Sequence, residues 1–193
     1  MEQNTNNYET EQNKKSHSLV KCIAGTGIFS ALAYLLSFLE FSIFPTASFL
    51  KLDFSAVFVL LGAFAFGPLY GVIICAIKEL LCFLTKSTTG GVGEIANFLV
   101  ICSFILLPSI IYRYRKGLKV VLITLIIACV LQIIASLLAN RFITFPLFMK
   151  AGAKSAFHTL WPYVLAFNAI KSVSISVITV ILYKRVSFIL KKF

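Results

Sequence analysis

Residues 51–71 read KLDFSAVFVLLGAFAFGPLYG. From Phe54 to Phe66 the stretch carries one hydroxyl and no charge, yet it opens on a lysine and an aspartate and closes on Gly-Pro. It is apolar enough for a membrane span but short of the roughly 20 residues a full crossing takes. A charge facing hydrocarbon costs on the order of 3 kcal/mol even by lenient scales. Lys51 and Asp53 are therefore expected at an outer interface, where Lys51 snorkels and Asp53 caps a helix start through free backbone N–H groups. A capping carboxylate there can also hold a neighbouring loop. Gly67-Pro68 reads as a tight inner turn into the next span.

The rest of the chain agrees with a lipid solvent. Of 193 residues, 59% are apolar and 13% charged, where a soluble domain carries about 25% charged residues. The charges lie between long apolar runs, which leaves room for one compact domain of six spans joined by short loops. The reading is an all-α integral membrane protein, a six-helix transmembrane bundle over 18–193, after a polar, disordered tail at 1–17. That tail does not resemble a signal peptide, and the first apolar run is expected to be retained as a span. The spans are read at about 18–41, 53–66, 71–85, 94–112, 118–139 and 161–183. The second and third are short, which calls for tilt or for shielding from lipid by neighbouring helices.

Basic residues set the orientation. Eleven lie on the side of the N-terminus, including Lys14, Lys15, Arg113, Arg115, Lys116 and Arg185, and five on the other: Lys51, Lys86, Arg141, Lys150 and Lys154. This asymmetry predicts a multi-pass protein of the cell membrane with both termini cytoplasmic. The longer connections, at 42–52, 86–93 and about 140–160, then face outward, where recognition is expected. The net charge of +11 sits at span ends with no basic face interleaved with aromatics, so no nucleic-acid partner is expected. Five single cysteines and two separated histidines give no metal-ligand spacing, and no phosphate-cradling glycine motif appears. Neither a metal, a resident cofactor nor an enzyme is expected.

Several polar residues resist a lipid-facing reading. Asn168 and Lys171 share one face of the last span and should point into the bundle, either bridging to a carbonyl or a carboxylate such as Glu79, or facing a ligand. Asn140 is a helix cap or a ligand contact. Lys78 and Glu79 are adjacent, so at least one needs another partner, and they read as internal scaffold. In KSTTGGVGEIAN (86–97) three glycines precede Glu94 and Asn97, as a flexible turn entering a helix or as close packing over a ligand. Phenylalanines at 41, 44, 49, 142, 145 and 148 can enclose a planar ring. The expected ligand is amphipathic, partly aromatic and weakly charged or uncharged.

KLDFS (51–55), GP-x-x-G (67–71), IK (77–78), GGVGEIANF (90–98), IY (111–112), NRF (140–142) and FNAIK (167–171) together resemble the riboflavin-binding substrate subunit of energy-coupling factor vitamin transporters, over about 20–185. The resemblance implies a six-helix bundle that binds riboflavin from outside. It also implies a membrane-embedded coupling subunit and two cytoplasmic ATPase subunits that supply energy, with the whole subunit toppling in the membrane. Asn140, Asn168 and Lys171 would hold the polar end of the isoalloxazine ring. The loop from Phe44 to Leu50, with Thr46, Phe49 and Leu50, would cover it, and Glu94 and Asn97 would lie near the ribityl chain. Gly27 and Ala31, small residues four apart on the first span, would meet the coupling subunit. With no arginine cluster to meet a phosphate, riboflavin is expected over its phosphorylated form. The alternatives are a subunit for another vitamin such as thiamine, or a self-sufficient carrier of a small aromatic solute.

Overall fold

The computed structural model describes residues 2–47, 49–149 and 152–190. Helices α1 (Glu2–Leu36), α2 (Ser55–Phe66), α3 (Pro68–Lys86), α4 (Val92–Tyr114), α5 (Leu118–Ala139), α6 (Phe145–Met149) and α7 (Ala153–Leu190) make an all-α bundle. Among the described residues, five helices are long and apolar enough to cross a membrane, with α2 as a sixth, shorter apolar helix. The chain is a multi-pass membrane protein.

The stretch at 51–71 is the centre of this bundle. Twelve residues at 1.5 Å each make α2 about 18 Å long, too short for a bilayer core of about 30 Å. It is nevertheless apolar all round, because all but two of its residues are buried among α1, α3, α4 and α7. Shielding by its neighbours resolves its shortness, whereas tilt would only reduce its reach across the bilayer. Its C-terminal end is set by Gly67 at φ +105°, a backbone conformation that favours glycine, followed by Pro68 at the first position of α3. A Cβ at Gly71 would stand 2.5 Å from Ala63 Cβ, so the second glycine of GP-x-x-G lets α3 lie directly on α2.

Span ends differ from the reading in instructive ways. α1 reaches back to Glu2, through the polar segment read as a disordered tail, although its apolar crossing portion is Leu19–Leu36. Its C-terminal end is at Leu36 rather than near residue 41. Ser37 Oγ donates to the Tyr34 carbonyl, Lys86 Nζ caps the Ser37 carbonyl, and Phe41 already pairs with Leu52 in a two-stranded hairpin of β1 (Phe41–Ser42) and β2 (Lys51–Leu52). α7 begins at Ala153, eight residues before the apolar run that predicted it, with Pro162 inside. Hydropathy locates what lies in lipid, whereas a helix continues until its backbone is stopped. After α5, which runs over 118–139 as read, a π-helical turn at Asn140–Thr144 leads into α6.

Among the described residues, two larger hydrophobic clusters and a small one of Ala96, Val100 and Ala139 hold the bundle. The largest runs along α1 to α5 and α7 and includes Phe64, Tyr112 and Tyr183, where the two tyrosine hydroxyls stand 3.1 Å apart. The second packs Ala47, Leu50 and Leu52 against Phe145, Val164 and Phe167. It fastens the 42–52 connection to α6 and α7 and so roofs the space between the helices.

Candidate functional site

Beneath that roof lies a cavity of about 550 Å³, within the roughly 300–1,000 Å³ range of small-molecule sites. The sequence-derived candidates mostly meet there. Phe49 and Leu50 come from the roof, Glu94 and Asn97 from the first turns of α4, Asn140 from the π turn, and Asn168 and Lys171 from α7. Thr46 does not line it, standing exposed on the 3-10 turn Pro45–Ala47. Gly27 and Ala31 lie elsewhere, exposed on the outside of α1.

Lys171 Nζ donates to Asp53 Oδ2 and to Asn97 Oδ1, each at 3.2 Å. Asn97 Nδ2 donates to Glu79 Oε1 at 2.6 Å, and the same oxygen accepts from Lys78 Nζ at 2.8 Å. Asp53 Oδ1 accepts the Ser55 backbone N–H at 2.9 Å and also the Ser55 hydroxyl. Asp53 therefore supports the start of α2, as read, but it is buried against Lys171 rather than set in outer water. Lys171 finds Asp53 rather than Glu79. Lys78 and Glu79 pair with each other despite being adjacent, and Asn97 takes the further bond that Glu79 needs. Burying an ion costs several kcal/mol unless it is paired and hydrogen-bonded, and this chain of contacts meets that demand for four charges at once. An ammonium offers three donors, so Lys171 keeps one beyond its two protein bonds.

The two asparagines are arranged alike. Asn140 Nδ2 donates to the Ser136 carbonyl and Asn168 Nδ2 to the Val164 carbonyl, each at 2.9 Å and each four residues back on its own helix. The bond locks each amide, while its oxygen and second N–H stay free of protein partners among the described residues. A wall with paired acceptor and donor capacity beside an ammonium can match a flat ring edge that alternates carbonyls and N–H.

Among the described residues, the charges lining the cavity balance: four lysines (Lys51, Lys78, Lys86, Lys171) against four carboxylates (Glu40, Asp53, Glu79, Glu94). Glu94 accepts from Thr89 Oγ1 at 2.8 Å, which ties the glycine turn to the start of α4. Of the six outer phenylalanines, Phe49 and Phe148 reach the cavity. Phe145 lies beneath in the smaller core, edge-on to Phe49 at 5.7 Å, and Phe44 packs on Tyr163. Phe167, Ser136 and Thr144 line the cavity too and were missed. The i−4 and i−1 spacing of Ser136 and Phe167 from Asn140 and Asn168 was the available signal.

Residues 21–183 match the model of the family described as ECF transporter, substrate-specific component. The chain belongs to this family. It is 35% identical over 170 residues to the riboflavin transporter RibU of Staphylococcus aureus (strain TCH60), covering 86% of this chain and 89% of that one. Against the riboflavin transporter FmnP of Bacillus subtilis (strain 168), identity is 28% over 167 residues, 82% of this chain and 88% of the relative. A solved chain, described as the S component of a bacterial ECF transporter, is similar at a TM-score of 0.78 and 35% identity, over 90% of this chain and 99% of that chain. As a substrate-specific component the chain serves transport rather than catalysis, and membership implies an associated energising module.

Proposed function

We propose that this substrate-specific component binds riboflavin from the outer side of the membrane and delivers it into the cell with a membrane-embedded coupling subunit and two cytoplasmic ATPase subunits. The observation that carries the reading is the wall of Asn140, Asn168 and Lys171, where two locked amides keep unused hydrogen-bonding capacity next to a spare ammonium proton. The imide edge of isoalloxazine needs that pattern. Phe49 and Leu50 close over the ring. The balanced charge of the lining suits a neutral ligand, and similarity to named riboflavin transporters supports the choice among vitamins. Asn97, bonded to both Lys171 and Glu79, orients the ammonium rather than only meeting the ribityl chain, which leaves Glu94 nearer the tail. The reading places both termini in the cytoplasm, which the excess of basic residues on that side supports. Gly27 and Ala31 offer the coupling subunit a close approach on α1.

The direct test is binding selectivity of the detergent-purified chain. It is expected to carry or take up riboflavin as a yellow, fluorescent ligand and to ignore thiamine. A colourless protein that binds thiamine more tightly would refute the assignment.

A further inference from the structure

Two ammonium groups converge on the water-facing end of the cavity, and one carboxylate holds both. Glu40 Oε1 accepts from Lys51 Nζ at 2.7 Å and Glu40 Oε2 from Lys86 Nζ at 3.0 Å. Lys86 also donates to the Ser37 carbonyl. All three side chains line the cavity yet keep 28% (Glu40), 45% (Lys51) and 21% (Lys86) of their surface, against 4% for Lys171. They mark its mouth as clearly as Lys171 marks its depth. Burial pushes the Glu40 carboxyl up, but the bonds and charges of Lys51 and Lys86 outweigh it and hold the group below the ordinary carboxylate range. It is therefore ionised at neutral pH.

Two ammonium groups at a cavity mouth would otherwise attract a phosphate, because lysines bind phosphate as point charges. A phosphate monoester carries about −1.5 to −2 charges at pH 7. With the ring seated against the deep asparagines, the ribityl tail, which bears the phosphate in flavin mononucleotide, is left on the mouth side. We propose that Glu40 is a specificity-determining residue: by occupying Lys51 and Lys86 and facing the mouth with its own charge, it biases the cavity toward the unphosphorylated flavin. The inference rests on the riboflavin reading. It assigns selection against phosphate to one carboxylate rather than to a general lack of arginine.

The test compares riboflavin and flavin mononucleotide, titrated separately into the purified wild type, Glu40→Gln and Lys86→Gln. The quantity read is the ratio of the two dissociation constants, which cancels any loss of cover over the ring. In Glu40→Gln the penalty for the phosphate is expected to shrink about tenfold, a typical coupling for close charge pairs. In Lys86→Gln, where Glu40 retains only Lys51, the penalty should grow. A Glu40→Gln ratio within about twofold of wild type, with riboflavin still bound, overturns the inference and leaves the riboflavin site standing. Should Glu40→Gln not fold, an unchanged or smaller penalty in Lys86→Gln overturns it instead. Failure of the wild type to bind riboflavin removes both readings.

Discussion

A lysine three residues after an asparagine in an apolar helix announces that it needs a partner, but spacing along one helix cannot say which. Asp53 lies 118 positions from Lys171 and carries a complete local explanation of its own, as the acceptor for Ser55 at the start of α2. Asp53 thus bonds the first residue of α2 from one position before the cap, which is Phe54, so the capping reading found a local contact but not the cap itself. Only the packing of α2 against α7 gives the second carboxylate oxygen to Lys171. The candidate polar residues of the site were legible because a charge or amide in hydrocarbon must be turned inward. Apolar Phe167 was hidden by its ordinariness, and Thr46 was drawn in by its place in a loop. The buried pair has a measurable consequence. Asp53→Asn leaves an unpaired ammonium and should cost about 3–5 kcal/mol of stability, read as a lowered unfolding midpoint in detergent. Asp53→Asn with Lys171→Met removes both charges and should regain much of that loss while still failing to bind riboflavin.

Among the elements, α5 was legible to the residue, because a predominantly apolar run bounded by Gly117 and Asn140 leaves little choice of ends. The turn between α2 and α3 was equally plain, since Gly-Pro carries its geometry in the backbone. The outer ends of α1 and α7 were not, as composition reports lipid contact while helix ends depend on who takes the last carbonyls. For α1 that partner is Lys86, on another helix. The exposed face of α1 carries Gly27, where an added Cβ meets nothing within 4 Å. Gly27→Leu, alone or with Ala31→Leu, therefore fits within this chain and is expected to leave riboflavin affinity unchanged. In proteoliposomes containing the complete transporter, ATP-driven uptake should fall at least about tenfold, as a bulky residue blocks close helix approach. Normal uptake by the variant would move the docking surface elsewhere.

At the scale of the whole molecule, one end is packed and the other furnished. Phe64, Tyr112 and Tyr183 pack together at one end, while at the other the 42–52 connection roofs a cavity whose deep wall bears the asparagines and Lys171. This polarity fits the proposed role, in which the chain selects a ligand on one side and leaves energy to its partners. In the proposed function the amides of that wall contact the flavin. Calorimetric titration of riboflavin into wild type and Asn168→Ala tests this contact most directly. Loss of a buried hydrogen-bonding partner should weaken binding by about 1–3 kcal/mol, with the thermal midpoint of the ligand-free protein little changed. A loss under about 0.3 kcal/mol, well below any buried hydrogen bond, would contradict the account.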